Sequence, residues 1–380
     1  MTPMRSHLPA RNTEPEAATT NPRAVTVVHD NAIGERLRTI AAGTVLVIAI
    51  GWVFFVGKGI FVPIVFSALV VYVIDGVTRL VFKVPVIGRL LPQSLGYTVS
   101  AVVIAWALAA IASLVAGSLG NISGLAPQYA ASLLNTIQDI AARLGIESTP
   151  TWETLRRDLL AQVNTQRLIG STVISVTSIV SGLIVVLLYV TFLMMERSVF
   201  ASKLANISSD PQRVANVRRI IGHVNARIGT YLALKTAVSV VQGLLSWVIL
   251  ALFGVEFAAF WAVLIGLLNY VPYIGSVLGV TLPVAFATMQ FADLNHVLLI
   301  LLALAVSQFV IGFFLDPYLM ANSLNLSPFV ILVSLAVWSA LWGIAGAFLA
   351  VPITACIVLV CTEFEATRPL AVLLSRDGRV

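Results

Sequence analysis

Eight long apolar blocks constrain this chain more than any other feature of its sequence. They run over residues 40–56, 60–74, 95–119, 168–195, 231–253, 257–289, 297–315 and 329–360. An α-helix needs about 20 mostly apolar residues to cross roughly 30 Å of hydrocarbon. Charged residues make up only 11% of the chain, against about 25% in soluble proteins. The pattern predicts an all-α integral membrane protein whose helices lie in a lipid bilayer.

The distribution of Lys and Arg predicts the orientation. Seventeen of these residues lie in the N-terminal tail, after the second block, after the fourth block and at the C-terminal end, whereas five lie in the other polar segments. Cytoplasmic loops carry the excess of positive charge. We therefore expect a multi-pass protein with both termini in the cytoplasm. No short apolar stretch with a small-residue cleavage site opens the chain, so we expect the first span to be retained.

The blocks divide the chain into seven segments. We expect a disordered cytoplasmic tail over 1–38, N-terminal transmembrane helices over 39–117, an extracytoplasmic helical insert over 118–167, a transmembrane helix over 168–195, a cytoplasmic amphipathic helical segment over 196–228, a transport core over 229–362 and a cytoplasmic tail over 363–380.

Two of the polar segments carry helical patterns. In the insert, apolar residues recur at helical spacing from Tyr129 to Leu144, and Thr151 is a candidate cap for a second helix. This surface either packs against neighbouring subunits or spans, or contacts a solute directly. In the cytoplasmic segment, Asp210-Pro211 is a helix-start signal. The helix behind it either lies along the membrane surface with its arginines at the headgroups, or forms a short coiled coil between protomers.

The sixth and eighth blocks differ from the others because glycine and proline interrupt them. Each exceeds thirty residues, and a straight helix of that length would be about 50 Å long. Broken backbone persists in a membrane only where it is buried in protein or lines a wet cavity, and paired broken segments are a pointer to a transporter's binding site. The segments 257–289 and 327–360 are therefore either re-entrant hairpins or steeply tilted single spans.

Three motifs in the last third of the chain carry a family resemblance. They are Asn269-Tyr270-Val271-Pro272-Tyr273-Ile274-Gly275 with Pro283, then Asp316-Pro317-Tyr318-Leu319-Met320 through Pro328, then Gly343-Ile344-Ala345-Gly346 with Pro352. Together with the hydropathy pattern, they resemble the autoinducer-2 exporter family. The resemblance implies a homo-oligomeric, pentameric secondary exporter of small polar molecules in the bacterial inner membrane, with autoinducer-2, a quorum-sensing signal, as the reference solute. Because members are linked to sodium/proton exchange, a proton or sodium ion is the implied coupling ion.

Polar groups inside the bundle and the residues at the breaks are the candidate site residues. Asn269, Tyr270 and Tyr273 offer groups suited to a neutral polyhydroxylated ligand, or else cap freed backbone groups. Gln308 either joins two helices by a hydrogen bond or faces the solute. The predicted substrate pathway comprises Asn269, Tyr270, Pro272, Tyr273, Gly275, Gly279, Pro283, Gln308, Asp316, Pro317, Pro328, Trp338, Trp342, Gly343, Gly346 and Pro352.

The ionisable residues near the block ends have less specific interpretations. Asp316 is either a cap on the following turn or a ligand of the coupling ion. Lys235 stands about one turn inside its block and is expected to reach the headgroups. Asp75 and Arg79 have the spacing of a surface ion pair.

Other functional classes are less well supported by the sequence. A cation/proton antiporter usually holds an acid deep in the bundle, whereas Asp293 and Asp316 stand at block ends. An intramembrane enzyme needs a polar catalytic pair on facing spans, and the blocks hold no such pair. We expect no catalytic residue, no cofactor, no metal site and no nucleic-acid partner.

Overall fold

We describe the fold from a computed structural model. The structure describes residues 38, 41–82, 93–143, 165–206, 209–291, 293–320 and 325–378. The predicted N-terminal tail, apart from residue 38, and the predicted helix cap at Thr151 lie outside these residues. The chain forms two units, Met1–Val56 and Gly57–Val380. In the first unit, Ala41–Val56 is a short apolar helix (α1).

The second unit is helical throughout most of its described length. Its long helices are α2 (Lys58–Phe82), α3 (Gln93–Arg143), α4 (Thr165–Ala205) and α5 (Pro211–Leu252). They are followed by α6 (Ala258–Leu268), α7 (Ile274–Phe291), α8 (Leu294–Val310), a π-helical turn (Ile311–Leu315) and α9 (Asp316–Met320). The last helices are α10 (Pro328–Trp342), α11 (Ile344–Thr362) and α12 (Arg368–Leu374). The described residues contain no strand beyond one isolated bridge between Leu326 and Ser375.

The apolar blocks are helices, which confirms the all-α membrane architecture. Seven of the described helical stretches are long and apolar enough to cross a membrane, and α1, α6 and α10 are shorter apolar helices. The sixth and eighth blocks are broken as the sequence predicts, the sixth between α6 and α7 and the eighth at Gly343 between α10 and α11.

Two predicted boundaries do not interrupt the helices. The insert begins within α3, which continues beyond the predicted membrane boundary to Arg143. Residue Tyr129 on this extension packs its ring 5.0 Å from that of Phe286 and donates a hydrogen bond of 2.6 Å to Glu256. Burial and this hydrogen bond raise the pKa of Tyr129. The insert therefore packs against the core at this point.

The amphipathic segment also joins a span directly. As predicted, Asp210 caps the helix that starts at Pro211, because its carboxylate accepts a hydrogen bond of 2.9 Å from the backbone N–H of Gln212. The helix then runs to Leu252 without a break. Residues 211–228 are therefore the first turns of α5 rather than a separate helix, and residues 196–205 are the last turns of α4.

Both broken segments are helical hairpins. In the first, Trp261 packs against Phe286, with ring centroids 5.3 Å apart, and Ile265 lies beside Gly279. Residues before the break therefore meet residues after it in reverse order. In the second, Trp338 Nε1 donates a hydrogen bond of 3.2 Å to Thr354 Oγ1. At 11 residues, α6 is only about 16 Å long and too short to cross the bilayer. That each hairpin enters and leaves on one side of the membrane remains a prediction.

The C-terminal segment is not a free tail. Helix α12 buries Ala371 completely, in a cluster that includes Leu232 of α5 and Val351 of α11. The second hairpin is thereby held against α5 from its C-terminal end.

Candidate functional site

A strip of polar residues follows one face of α5 into the bundle. Lys235, Ser239, Gln242 and Ser246 are spaced by four, three and four residues, so they share one side of the helix. All four are buried, and Gln242 and Ser246 are completely so. The strip is about 16 Å long. Buried polar groups at membrane depth are costly unless they are paired, which makes the strip a candidate functional site.

Helix α6 of the first hairpin packs against this strip with its backbone close to that of α5. A Cβ atom added at Gly266 of α6 would lie 3.0 Å from the carbonyl oxygen of Ser239, and one added at Gly243 would lie 3.2 Å from that of Ala262. Glycine at these two positions lets the backbones of α5 and α6 approach each other.

Polar side chains at the hairpin break contact the strip directly. Asn269 donates a hydrogen bond of 3.1 Å from its amide to Ser239 Oγ. The hydroxyl groups of Tyr270 and Thr236 lie 2.7 Å apart. Because the hydroxyl of Thr236 also lies 2.7 Å from the carbonyl oxygen of Leu232, that carbonyl takes the threonine proton and Tyr270 is the donor to Thr236. The structure thus brings Asn269 and Tyr270 to α5.

The two glycines that follow the breaks are required by backbone contacts. A Cβ atom at Gly275 would lie 1.9 Å from the carbonyl oxygen of Leu268, and one at Gly346 would lie 1.8 Å from that of Trp338. No real Cβ atom tolerates such a contact, so each hairpin turns only with glycine there. Tyr273, between Pro272 and the first of these glycines, has a positive φ of 61° and is 54% exposed. It points away from the strip.

Helix α8 supplies the opposite wall. Gln242 Nε2 donates to Ser246 Oγ at 3.2 Å and lies 3.5 Å from Ser307 Oγ. A Cβ atom added at Gly279 would lie 3.1 Å from Gln308 Nε2. A larger residue at position 279 would therefore displace the Gln308 amide. Pro283 is buried one turn beyond Gly279 on α7.

Lys235 and Asp316 form a buried ion pair at the end of the strip. The Lys235 Nζ and Asp316 Oδ2 atoms lie 2.9 Å apart, and the side chains are 7% and 22% exposed. The expectation that Lys235 reaches the headgroups is therefore wrong, because its ammonium group binds Asp316 inside the protein. Asp316 is not the cap of a following turn either, since its backbone is helical and continues the helix that precedes it.

The π-helical turn at Ile311–Leu315 is what aims Asp316 at Lys235. Buried residues on α8 recur every three or four positions up to Ile311, and an ordinary α-helix would next bury residue 314 or 315. Phe314 is instead 63% exposed, and Leu315 and Asp316 are each partly buried. A π-helical turn holds about one extra residue, so it rotates the following face by roughly 100°. This rotation turns the partly buried side chain of Asp316 towards Lys235.

Proline at position 317 favours a π-helical turn immediately before it. A proline inside a helix cannot donate to the carbonyl four residues earlier and clashes with it. That carbonyl belongs to Phe313, in the middle of the π-helical turn. Pro317 thus contributes through the helix geometry around its neighbour Asp316.

The second hairpin approaches the first through one aromatic contact. The ring of Phe348 on α11 stacks on that of Tyr270, with centroids 6.2 Å apart and an interplanar angle of 27°. The other predicted residues of the second hairpin make contacts inside that hairpin. Trp338 and Trp342 pack on each other with ring centroids 5.1 Å apart, and Pro352 is buried. Gly343 forms the break and has a positive φ of 63°. Pro328 is an exposed first residue of α10. These residues shape the hairpin.

Several buried polar atoms in this region have no hydrogen-bond partner among the described residues. They are Gln242 Oε1, Gln308 Nε2, Asp316 Oδ1 and Trp261 Nε1. Two are donors and two are acceptors, and a buried group without a partner costs about 1–3 kcal/mol. A set of buried atoms that includes both unpaired donors and unpaired acceptors suits a ligand that carries both kinds of group.

Sequence reasoning misses the α5 side of this site. Lys235 is given a headgroup role, and Thr236, Ser239, Gln242, Ser246 and Ser307 are not selected. The usable signal is their spacing, because a polar strip at intervals of three and four inside an apolar block marks a face that avoids lipid.

A second ion pair corrects another expectation. The carboxylate of Asp75 binds Arg197 of α4, and not Arg79, whose Nε atom donates instead to the backbone oxygen of Asp75. Asp75 is 7% exposed, whereas the Arg197 side chain is 50% exposed, so this pair joins α2 to α4 with its carboxylate buried.

Comparison with known proteins identifies relatives over most of the chain. Residues 43–365 match the sequence model of a family described as AI-2E family transporter. The AI-2 transport protein TqsA of Escherichia coli K12 is 29% identical over 288 residues, which cover 75% of this chain and 81% of TqsA. YhhT of the same organism, named as a candidate transport protein, is also 29% identical, over 76% of this chain and 81% of its own length. PerM, named as a candidate permease, is 25% identical over 58% of this chain.

Proposed function

This chain belongs to the AI-2E transporter family, and we propose that it exports small polar solutes through the polar strip of α5 and the walls that the first hairpin and α8 build around it. Membership of the family makes the protein a multi-pass membrane transporter. The family and the relatives are named as transport proteins and not as enzymes.

The observation that carries the proposal is the set of unpaired polar atoms beside the strip. Gln242 Oε1 accepts and Gln308 Nε2 donates, and neither has a partner among the described residues. A neutral solute with several hydroxyl groups supplies a donor for the first and an acceptor for the second. It needs no charge of its own, because Lys235 already neutralises Asp316.

Autoinducer-2 is the solute we propose to test first. TqsA, at 29% identity, is named as an AI-2 transport protein, and autoinducer-2 is a small polar signal molecule of the class that the strip suits. The protein would then release a quorum-sensing signal from the cell. We place it in the bacterial inner membrane with both termini in the cytoplasm, and we propose a homopentamer, as the family resemblance implies.

Efflux from loaded proteoliposomes tests the function. Vesicles that contain the purified protein and autoinducer-2 should lose the solute faster than protein-free vesicles. Vesicles loaded with glycerol or ribose show whether the site accepts other neutral polyols. If the polyols leave the vesicles and autoinducer-2 does not, the result supports neutral polyols as the solute class and contradicts autoinducer-2 as the solute. If none leaves, the proposed export function is wrong.

A sodium/proton antiporter is the second candidate, and one observation favours it. Asp316 holds a carboxylate inside the bundle with its Oδ1 atom buried and unpaired, which removes the objection that this acid stands at a block end. A sodium gradient imposed on proteoliposomes without any organic solute distinguishes the two functions. Proton movement under those conditions indicates the antiporter.

A further inference from the structure

We propose that Lys235 is the proton-carrying group of this transporter, and that it loses its proton when Asp316 moves away from it in the transport cycle. This inference rests on the proposed function and adds the ion that drives it. The carrier would be the amine rather than the carboxylate.

The unequal burial of the two partners is the first step of the argument. The Lys235 side chain is 7% exposed, whereas Asp316 is 22% exposed. If the pair opens, water reaches the carboxylate more readily than the ammonium group. A desolvated ammonium group without a counter-charge favours its neutral form. The proton therefore leaves Lys235, and Asp316 stays ionised.

The described residues place no second acidic group in an ion pair with the amine. Asp316 is the acidic partner that the described residues give to Lys235. The titratable groups that face the pair are Tyr231, on the same face of α5, and Tyr270, at the hairpin break. Tyr270 donates its proton to Thr236, and both tyrosines are phenols that stay neutral near pH 7. Neither compensates the ammonium group once Asp316 has moved.

The helix geometry provides a way for the pair to open. Asp316, which binds Lys235, directly follows the π-helical turn at Ile311–Leu315. Return of this turn to α-helical geometry rotates the Asp316 side chain by roughly 100° out of the site. In that step one N–H bond of the Lys235 ammonium group breaks, the proton passes to water, and a neutral amine remains.

The protonation state of Lys235 is measurable without any solute. The chain has four lysines, Lys58, Lys83, Lys203 and Lys235, so selectively ¹⁵N-labelled lysine gives few side-chain signals, and the signal lost in Lys235→Arg identifies this residue. The wild-type protein, in which the ion pair with Asp316 is intact, is the reference for this signal. In Asp316→Asn, which removes the counter-charge, we expect the Lys235 signal to change to that of a neutral amine at a lower pH than in the wild-type protein. Titration of Lys235 together with the other three lysines in Asp316→Asn overturns the proposal.

Proton movement during transport provides the second readout. A pH-sensitive dye trapped in proteoliposomes reports protons while an autoinducer-2 gradient drives flux. Arginine stays charged at every accessible pH, so Lys235→Arg should lose the proton movement, whereas the matched change Lys203→Arg, outside the strip, should retain it. Proton movement that persists in Lys235→Arg contradicts the proposal. If wild-type vesicles move no autoinducer-2, the proposed function fails, and the lysine titration still decides whether Lys235 releases a proton.

Discussion

The Lys235 ammonium group binds the Asp316 carboxylate at 2.9 Å, although the two residues are 81 positions apart in the chain. Lys235 lies on the long helix α5, whereas Asp316 is the first residue of α9 and follows the π-helical turn at the end of α8. Removal of one partner from a buried pair leaves an uncompensated charge and costs about 3–5 kcal/mol. The pair should therefore hold α5 and α8–α9 together.

Asp316→Asn should lower the melting temperature more than Lys235→Met. The first change leaves the more deeply buried charge of Lys235 without a partner, whereas the second leaves the more exposed charge of Asp316 without one. The double change, which removes both charges, should recover most of the lost stability. Thermal unfolding of the four proteins in detergent checks this order, and equal melting temperatures for all of them would show that the pair does not contribute to stability.

Gly275→Ala should destabilise the protein. The added methyl group meets the carbonyl oxygen of Leu268 at 1.9 Å, and overpacking costs about 1–3 kcal/mol or more. Gly182→Ala on α4 is the matched control, because its added Cβ has no neighbour within 4 Å and alanine favours the helix. The melting temperature should fall for the first variant and stay level or rise for the second. The opposite order contradicts the hairpin geometry.

Tyr270→Phe should slow export. The change removes the hydroxyl that donates to Thr236 but keeps the ring that stacks on Phe348. The loss of one hydrogen bond, worth about 1 kcal/mol, predicts a decrease of roughly fivefold in the initial efflux rate. Tyr318→Phe is the control, because Tyr318 is 83% exposed. Equal rates for both variants would place Tyr270 outside the transport path.

Two single-cysteine variants test the predicted orientation of the protein in the membrane. In a protein whose Cys356 and Cys361 have been replaced by serine, an impermeant maleimide should label a cysteine at Ala141 from outside intact cells and should not label one at Asn216. The prediction follows from the seventeen and five basic residues assigned to the two sides. The reverse labelling pattern means that the termini are outside.

Much of the architecture could be predicted because its causes are local in the sequence. Gly275 and Gly346 mark the two hairpins, and Asp210-Pro211 marks the start of α5, since each depends on the chemistry of a few neighbouring residues. The ion pair could not be predicted in this way. Lys235 stands near a block end, and depth alone suggests the headgroups. Its actual partner depends on how two distant helices pack and on the rotation at the π-helical turn, which only the position of Pro317 hints at.

Gln242→Met gives the most direct test of the proposed pathway. Gln242 is completely buried, its Oε1 atom has no partner among the described residues and its Nε2 atom donates to Ser246 Oγ. Replacement by an apolar side chain of similar length removes the unpaired oxygen together with that hydrogen bond, so the two effects offset each other and the melting temperature should change little. If solutes pass along the α5 strip, the same change should lower the initial rate of autoinducer-2 efflux by about tenfold, the effect of losing roughly 1.4 kcal/mol of interaction. Val240→Met, on the exposed side of the same helix at 54% exposure, should transport at the wild-type rate. A stable Gln242→Met protein that exports at the wild-type rate would show that the solute does not use this strip.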